Sequence, residues 1–352
     1  MSRIRSPFRF LPVAVLGFPL ITTILSCRKD KPEQPVETPV TIGNEHGVYI
    51  TNEGNFQWGN ASVSWYNKAD GQAVEDLYAP ANGSALGDVL QSMTLHGGKG
   101  YLVVNNSGKV VVVDQDSFRA TATIAGFTSP RYLLPVGGNK AYVSEMQGNK
   151  LRVLDLAANA IVGTITCRGW TEEMALAAGK VFITNETRKY VYVVDPATDA
   201  VADSIAVSSG GNSIVEDANG KLWVACKGGG GTPPALCRID PATLQKEATF
   251  NFAGSSANPW RLAVNGDGHM LYFLNGDVFR MAIADDALPN SPFIAAEGRN
   301  FYGLGVDPGD GTVYVADAID YTQRGRVFRY SAEGVSINDF PAGRIPGGFV
   351  FR

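Results

Sequence analysis

Cysteine and histidine are scarce in this chain, four and three among 352 residues, and their scarcity removes most catalytic chemistries at the outset. No CxxC pair and no GxSxG nucleophile turn occurs, and His46, His96 and His269 lack the spacing of metal ligands. Glu53, Asp317 and Asp320 are acidic enough for a cation, but their spacing follows no known loop pattern. The expectation is therefore no metal, no cofactor and no enzymatic centre. Charge is sparse too: 18% of residues are charged and the formal net charge is −4, so the basic footprint of a nucleic-acid-binding protein is missing.

Long apolar runs are limited to one, Leu11 to Leu25, behind the basic residues Arg3, Arg5 and Arg9. It ends at Ile24-Leu25-Ser26-Cys27, which resembles a lipobox. Pro12 and Pro19 interrupt it and no stop-transfer pattern follows, so it reads as a signal peptide rather than a membrane span. Residues 1–27 are expected to be a lipoprotein signal with Cys27 acylated, residues 28–46 a Pro-rich tether, and residues 47–352 a folded domain. The membrane would then be met through the lipid anchor only, at the outer membrane and the cell surface. Of the other cysteines, Cys226 and Cys237 close the facing ends of one predicted hairpin across KGGGGTPPA, so an oxidising compartment could join them. Cys167 reads as a small buried residue.

What the chain has in quantity is glycine, 40 residues, and short β-rich segments that repeat. AYVSEMQGNKLRVLD (141–155) reads as a hairpin turning at Gln147-Gly148-Asn149. Its aromatic anchor recurs as Tyr49, Tyr101, Tyr142, Phe182, Trp223, Tyr272 and Tyr314. A β-rich repeat of about 40–50 residues is the mark of a propeller with one blade per repeat. Each unit holds four strand-like runs, clearest as PRYLLPV (130–136), KAYVSE (140–145), LRVLD (151–155) and AIVGTI (160–165). Six units follow one another from SMTLH (92–96) onward, the fifth ending in SPFIAA (291–296).

A seventh is split: VYITN (48–52), VSWYN (63–67) and AVEDL (73–77) lack an inner strand, and Pro346 to Phe351 is an inner-strand pattern with nothing after it. The fold predicted is all-β, a seven-bladed β-propeller of four-stranded antiparallel blades, its ring closed by pairing the C-terminal strand into the N-terminal blade. Closure leaves no free sheet edge.

Loop lengths single out one face of that ring. The second-to-third loops include NEGNFQWGNAS (52–62), CKGGGGTPPA (226–235) and DAIDYTQRGR (317–326), while the opposite turns are minimal and use recurrent Asp as turn former. Outer-to-inner connections bring Arg131, Tyr132, Trp170, Glu172, Asn212, Asn258, Trp260, Arg261, Asn300, Phe301 and Tyr302 to the long-loop face. With Phe56, Trp58, Asn60, Asp320 and Tyr321 from the loops, these are expected to ring the tunnel mouth and to bind a flat, polar-edged ligand or a sugar.

Tyr49-Ile50-Thr51-Asn52 and Phe182-Ile183-Thr184-Asn185 resemble the YVTN signature of surface-layer-type propellers. NEGNFQWGNAS (52–62), LGDVLQSM (86–93), NNSGKVVVVD (105–114), SPRYLLP (129–135), YGLGVDP (302–308) and DAIDYTQRGRVFRY (317–330) are similar to a lipoprotein branch of that superfamily, over about Gly47 to Arg352. Its members include surface cobalamin-capture propellers that partner a TonB-dependent outer-membrane transporter. The resemblance implies a lipoprotein that captures a corrinoid or similar bulky nutrient and passes it on. A glycan- or protein-binding scaffold would use the same face, and a lactonase-type propeller enzyme would need a metal in the tunnel.

Overall fold

The computed structural model describes residues 42, 46–254 and 256–352. Cys27 and nearly all of the expected tether lie outside the described residues. The second strands are buried along most of their length, and in the first blade the third strand is too. Val110 to Val113 in Lys109–Asp114, for example, are all buried, because neighbouring blades cover both faces of the sheet. Outer strands such as Ala200–Ala206 are mostly exposed.

These strands assemble into seven antiparallel sheets arranged as blades. In chain order, the inner strands of the first six are Leu90–His96, Pro130–Gly137, Thr171–Ala177, Gly211–Glu216, Trp260–Val264 and Phe301–Val306. The repeated aromatics are the wedges between blades: Tyr49, Tyr101, Tyr142, Phe182, Trp223, Tyr272 and Tyr314 are all buried.

Closure occurs as expected. Pro346–Phe351 becomes the inner strand of the sheet formed by Gly47–Asn52, Ser62–Asn67 and Ala73–Val74. Phe351 pairs with Val48, Val350 with Tyr49 and Phe349 with Ile50. The outer positions are less regular than expected in two blades. In the fifth, residues 291–296 contribute a single bridge, Ile294 to Val278, and the sheet has three strands. Pro292 has no N–H for a ladder there. In the closing blade only Ala73–Val74 pairs, after which Asp76 accepts from the Tyr78 amide and Tyr78–Asn82 forms one helical turn.

On the short-turn face the recurrent aspartates tie their own turns. Asp114 accepts from the Ser117 amide at 2.9 Å, Asp155 from Ala157 at 2.9 Å, Asp195 from Ala197 at 2.8 Å and Asp240 from Ala242 at 2.8 Å.

Candidate functional site at the tunnel mouth

Every inner strand slips register at its start on the long-loop face. The first residue pairs normally and the next bulges out of the ladder: Gln91, Arg131, Glu172, Asn212, Arg261, Tyr302 and Gly347, one per blade. A bulge re-aims the side chain, here toward the axis, so one backbone device repeated around the ring builds the mouth. In blades two, three and five a second residue lies within the slip: Tyr132, Glu173 and Leu262.

Eight of the expected residues, Arg131, Tyr132, Trp170, Glu172, Asn212, Trp260, Arg261 and Tyr302, line one cavity of about 180 Å³ at this mouth. They share it with Glu53, which the sequence offered only as a cation candidate, and with Gln91, Glu173 and Glu186, which sequence reasoning missed. The missing signal for Gln91 was the strand start. The strand begins at Leu90, two residues before the expected Ser92, which puts Gln91 at the position held by Arg131 in the next blade.

The remaining expected residues lie elsewhere. Phe56 and Trp58 stand on the loop that follows Glu53, 63% and 76% exposed, and do not line the cavity. Tyr321 rests edge-on against Tyr302 with ring centroids 5.7 Å apart, and its carbonyl accepts from Asn55 Nδ2 at 2.5 Å, so the two loops meet at the rim. Asn60 exchanges hydrogen bonds with Asn55 and faces a separate groove of about 630 Å³ with Glu75 and Arg324 at the outer edge of the closing blade. Asp320 accepts from Gln323 Nε2 and from the Gln323 and Thr322 backbone amides, all at 2.9 Å, which hold its carboxyl well below the usual range and make it a turn brace. Phe301 packs in the core between blades, and the Asn258 and Asn300 amides are tied to Asn275 and Asp317.

The two mouth arginines differ. Arg131 is engaged at all three nitrogens: its Nε and Nη2 meet the two oxygens of Glu172 at 2.8 and 2.6 Å, and Nη1 donates to Gln91 Oε1. Trp170 Nε1 donates to the same carboxylate at 2.6 Å, and its ring lies 5.3 Å from the Arg131 guanidinium. Arg261 instead reaches across the tunnel. Its Nη1 donates to Tyr132 Oη, three blades away, at 3.1 Å, and Nε meets the Tyr302 carbonyl at 3.4 Å. Glu53 Oε1 stands 3.9 Å from Nη2 and accepts from Tyr302 Oη at 3.0 Å. This strut divides the shaft: a second chamber of about 170 Å³ shares Gln91, Tyr132, Glu173 and Arg261 with the upper one and continues to Thr51, Thr94 and Phe349.

Glu173 lies deep in the wall with its carboxylate on the tunnel. Oε2 accepts from Ser213 Oγ at 2.7 Å and the Ile214 amide at 3.1 Å. Burial pushes its carboxyl up to about 7, against those hydrogen bonds and the charge of Arg261. Burial raises Glu53 as well, opposed by Arg261 and Arg131. Beside Trp170, Lys227 pairs with Glu186. Among the described residues no group of three His, Cys, Asp or Glu side chains could hold a metal ion.

Away from the mouth, Cys226 pairs with Ala235 and Cys237 with Val224, so the two sit diagonally in one core cluster as free thiols. The hydrogen bond between them holds Cys237 down to about 6 and, first among the causes, raises Cys226. Cys167 is buried, and burial raises its thiol to about 12.

No curated protein matches this sequence. Solved structures share the fold at low identity. A quinonprotein alcohol dehydrogenase-like protein (BT1487) from Bacteroides thetaiotaomicron is 17% identical with a TM-score of 0.70, over 89% of this chain and 79% of that one. A Bacteroides fragilis protein (BF1038) provisionally named a 6-phosphogluconolactonase is 15% identical with a TM-score of 0.67, over 89% and 99%. A Lactobacillus plantarum protein is 14% identical with a TM-score of 0.69, over 88% and 99%. The family model described as "Domain of unknown function (DUF5074)" matches residues 46–346, and the chain belongs to that family.

Proposed function

We propose that this propeller is a binding protein rather than an enzyme, and that its ligand docks on the long-loop face at the tunnel mouth. The observation that carries the reading is the convergence of Arg131, Trp170, Asn212, Arg261 and Tyr302 from five blades on one cavity, with Tyr321 against Tyr302 at its rim and Phe56 and Trp58 exposed on the loop that follows Glu53. A well of about 180 Å³ is below the size of an ordinary small-molecule pocket, so a bulky ligand would lie across the rim with only its polar edge in the well. A corrinoid is the ligand we propose, following the lipoprotein-branch resemblance of the sequence. The setting proposed with it is a lipid anchor at Cys27, the outer-membrane surface, and transfer to a TonB-dependent transporter.

A metal-dependent lactonase reading has less support. Glu172 is held by Arg131 and Trp170, Glu53 by Tyr302, and Glu173 by Ser213 and Ile214, which leaves no convergent set of ligands. Calorimetric titration with cobalamin tests the corrinoid. Saturable heat with quenching of Trp fluorescence is expected, and silence in both at micromolar protein would reject it.

A further inference from the structure

We infer that Arg261 is the anchor for an oxyanion, a carboxylate or a tetrahedral phosphate-like group, on the ligand that enters the mouth. The inference rests on the mouth being the binding site, but not on the ligand being a corrinoid.

Three observations meet at this side chain. The first is that its fork holds no bidentate carboxylate. Arg131 spends its guanidinium on a bidentate carboxylate, whereas Arg261 has only neutral oxygens within hydrogen-bond distance, and Nη2 faces a carboxylate at 3.9 Å. A largely buried guanidinium whose Nη2 has no hydrogen-bond partner, and whose other contacts are neutral oxygens an anion could displace, suits bidentate recognition of an oxyanion through Nη1 and Nη2. The second is its backbone. Arg261 has φ +52°, a left-handed conformation that costs a non-glycine residue energy and persists where the surroundings impose it. Here that conformation aims the side chain across the shaft. The third is the closing blade, two blades on: the equivalent position is Gly347, where a Cβ would stand 3.1 Å from Arg261 Nη2 and 3.4 Å from Glu53 Oε1. Glycine there leaves room beside the fork.

The charges around the guanidinium make the site sensitive to protons. Facing it are Glu53 from the first loop, Arg131 and Tyr132 from blade two, Glu172 and Glu173 from blade three, and Tyr302 from blade six. Arg131 and Glu172 neutralise each other. That leaves Glu53 and Glu173 around Arg261, both of which burial pushes toward the protonated form. Once protonated they stop competing with an incoming anion and can donate to it. Anion binding therefore takes up protons and strengthens as pH falls through about 7.

The test is titration of the intact protein with sodium acetate and, separately, sodium sulfate. Neither probe changes charge near neutrality, ionic strength is held constant with chloride, and fluorescence of Trp260, 4.9 Å from the guanidinium, is the readout. At least one anion should saturate the signal, about fivefold or more tighter near pH 6 than near pH 8. Preference for acetate or sulfate tells a planar from a tetrahedral ligand group. Arg261→Gln should weaken binding about tenfold or more, with Arg261→Lys between the two because it keeps charge without the fork. If the Gln variant does not fold, the Lys variant carries the test. Glu53→Gln combined with Glu173→Gln should abolish the pH effect. Absence of saturation near pH 6, wild-type binding by Arg261→Lys, or tighter binding near pH 8 would each overturn the assignment. Saturable anion binding beside a silent cobalamin titration would remove the corrinoid and keep the anchor.

Discussion

The two ends of the tunnel are built by the same rule and used differently. At the short-turn end four successive blades repeat their residue as well as their backbone: Asp114, Asp155, Asp195 and Asp240 all accept from amides two or three residues on. At the long-loop end only the backbone repeats. Every inner strand bulges at the same place, yet the residue presented is Gln, Arg, Glu, Asn, Arg, Tyr and Gly in turn. Identity under repetition marks what the fold needs, and variation under repetition marks where the fold has been put to use.

The sharpest way to break this comparison is to remove the scaffold common to both ends. Deleting Pro346 to Arg352 takes away the inner strand of the closing blade, including Phe349, Val350 and Phe351, and opens the ring. At ~1.5–3 kcal/mol per buried apolar side chain, and with an unpaired sheet edge besides, the loss is comparable to the whole stability of a domain. The truncated protein should fail to show a cooperative melt; an unchanged melting temperature would contradict closure by the termini.

Two tryptophans separate scaffold from site. Trp223 is fully buried and donates to Asp217 at 2.8 Å, so Trp223→Ala should cost ~3–5 kcal/mol of stability. Trp58 is 76% exposed, and Trp58→Ala should leave stability within about 0.5 kcal/mol. Under the proposed function it should weaken ligand binding by ~2 kcal/mol, roughly thirtyfold. Thermal melts and titrations of both variants should show opposite patterns; an early-melting Trp58→Ala that binds normally would discard the anchor.

The fold was legible in the sequence because aromatic wedges and apolar strand pairs recur at a period that needs no tertiary information. Pro346 to Phe351 could be assigned to the closing blade from its pattern alone. The irregular outer positions were less legible, since SPFIAA has strand-like composition and its Pro292 decides the matter only once the ladder direction is known. At the site, residues carried by the bulges were within reach because they follow the outer-to-inner connections. Glu173 was not, although it lies in the same slip, since it reads as an ordinary strand residue; Glu53 was visible as a loop acid but without its role beside Arg261. Asn60 and Asp320 were misplaced for the opposite reason: polar loop residues look like ligand contacts, and here they brace their own loops.

A smaller effect, specific to the mouth, is pH dependence. The carboxyl of Glu173 is raised from an unfolded value near 4.5 to about 7, so between those values the folded state binds the proton and the unfolded state does not. Stability contributed by this group is therefore present at low pH and lost as pH rises toward 7. The loss is on the order of 2 kcal/mol, moderated by tunnel water. Glu173→Gln should remove that slope and be more stable than wild type near pH 8, measured by denaturant melts across the range. A slope that persists in the variant would put the titrating group elsewhere.

The smallest expected effect tests the short-turn end. Asp195 accepts from the Ala197 amide at 2.8 Å and stands 3.7 Å from Lys180, each side chain about a third exposed. The hydrogen bond should matter and the exposed ion pair should not, because solvent screens the pair and holding two flexible side chains together costs entropy. Asp195→Ala removes the acceptor and should cost ~1 kcal/mol. Asp195→Asn keeps an acceptor oxygen without the charge, so it should stay within about 0.5 kcal/mol of wild type, and neither variant should alter ligand binding. Equal losses in the two variants would show that charge, not turn closure, is what the repeated aspartates supply, and the contrast between the two ends would lose its lower half.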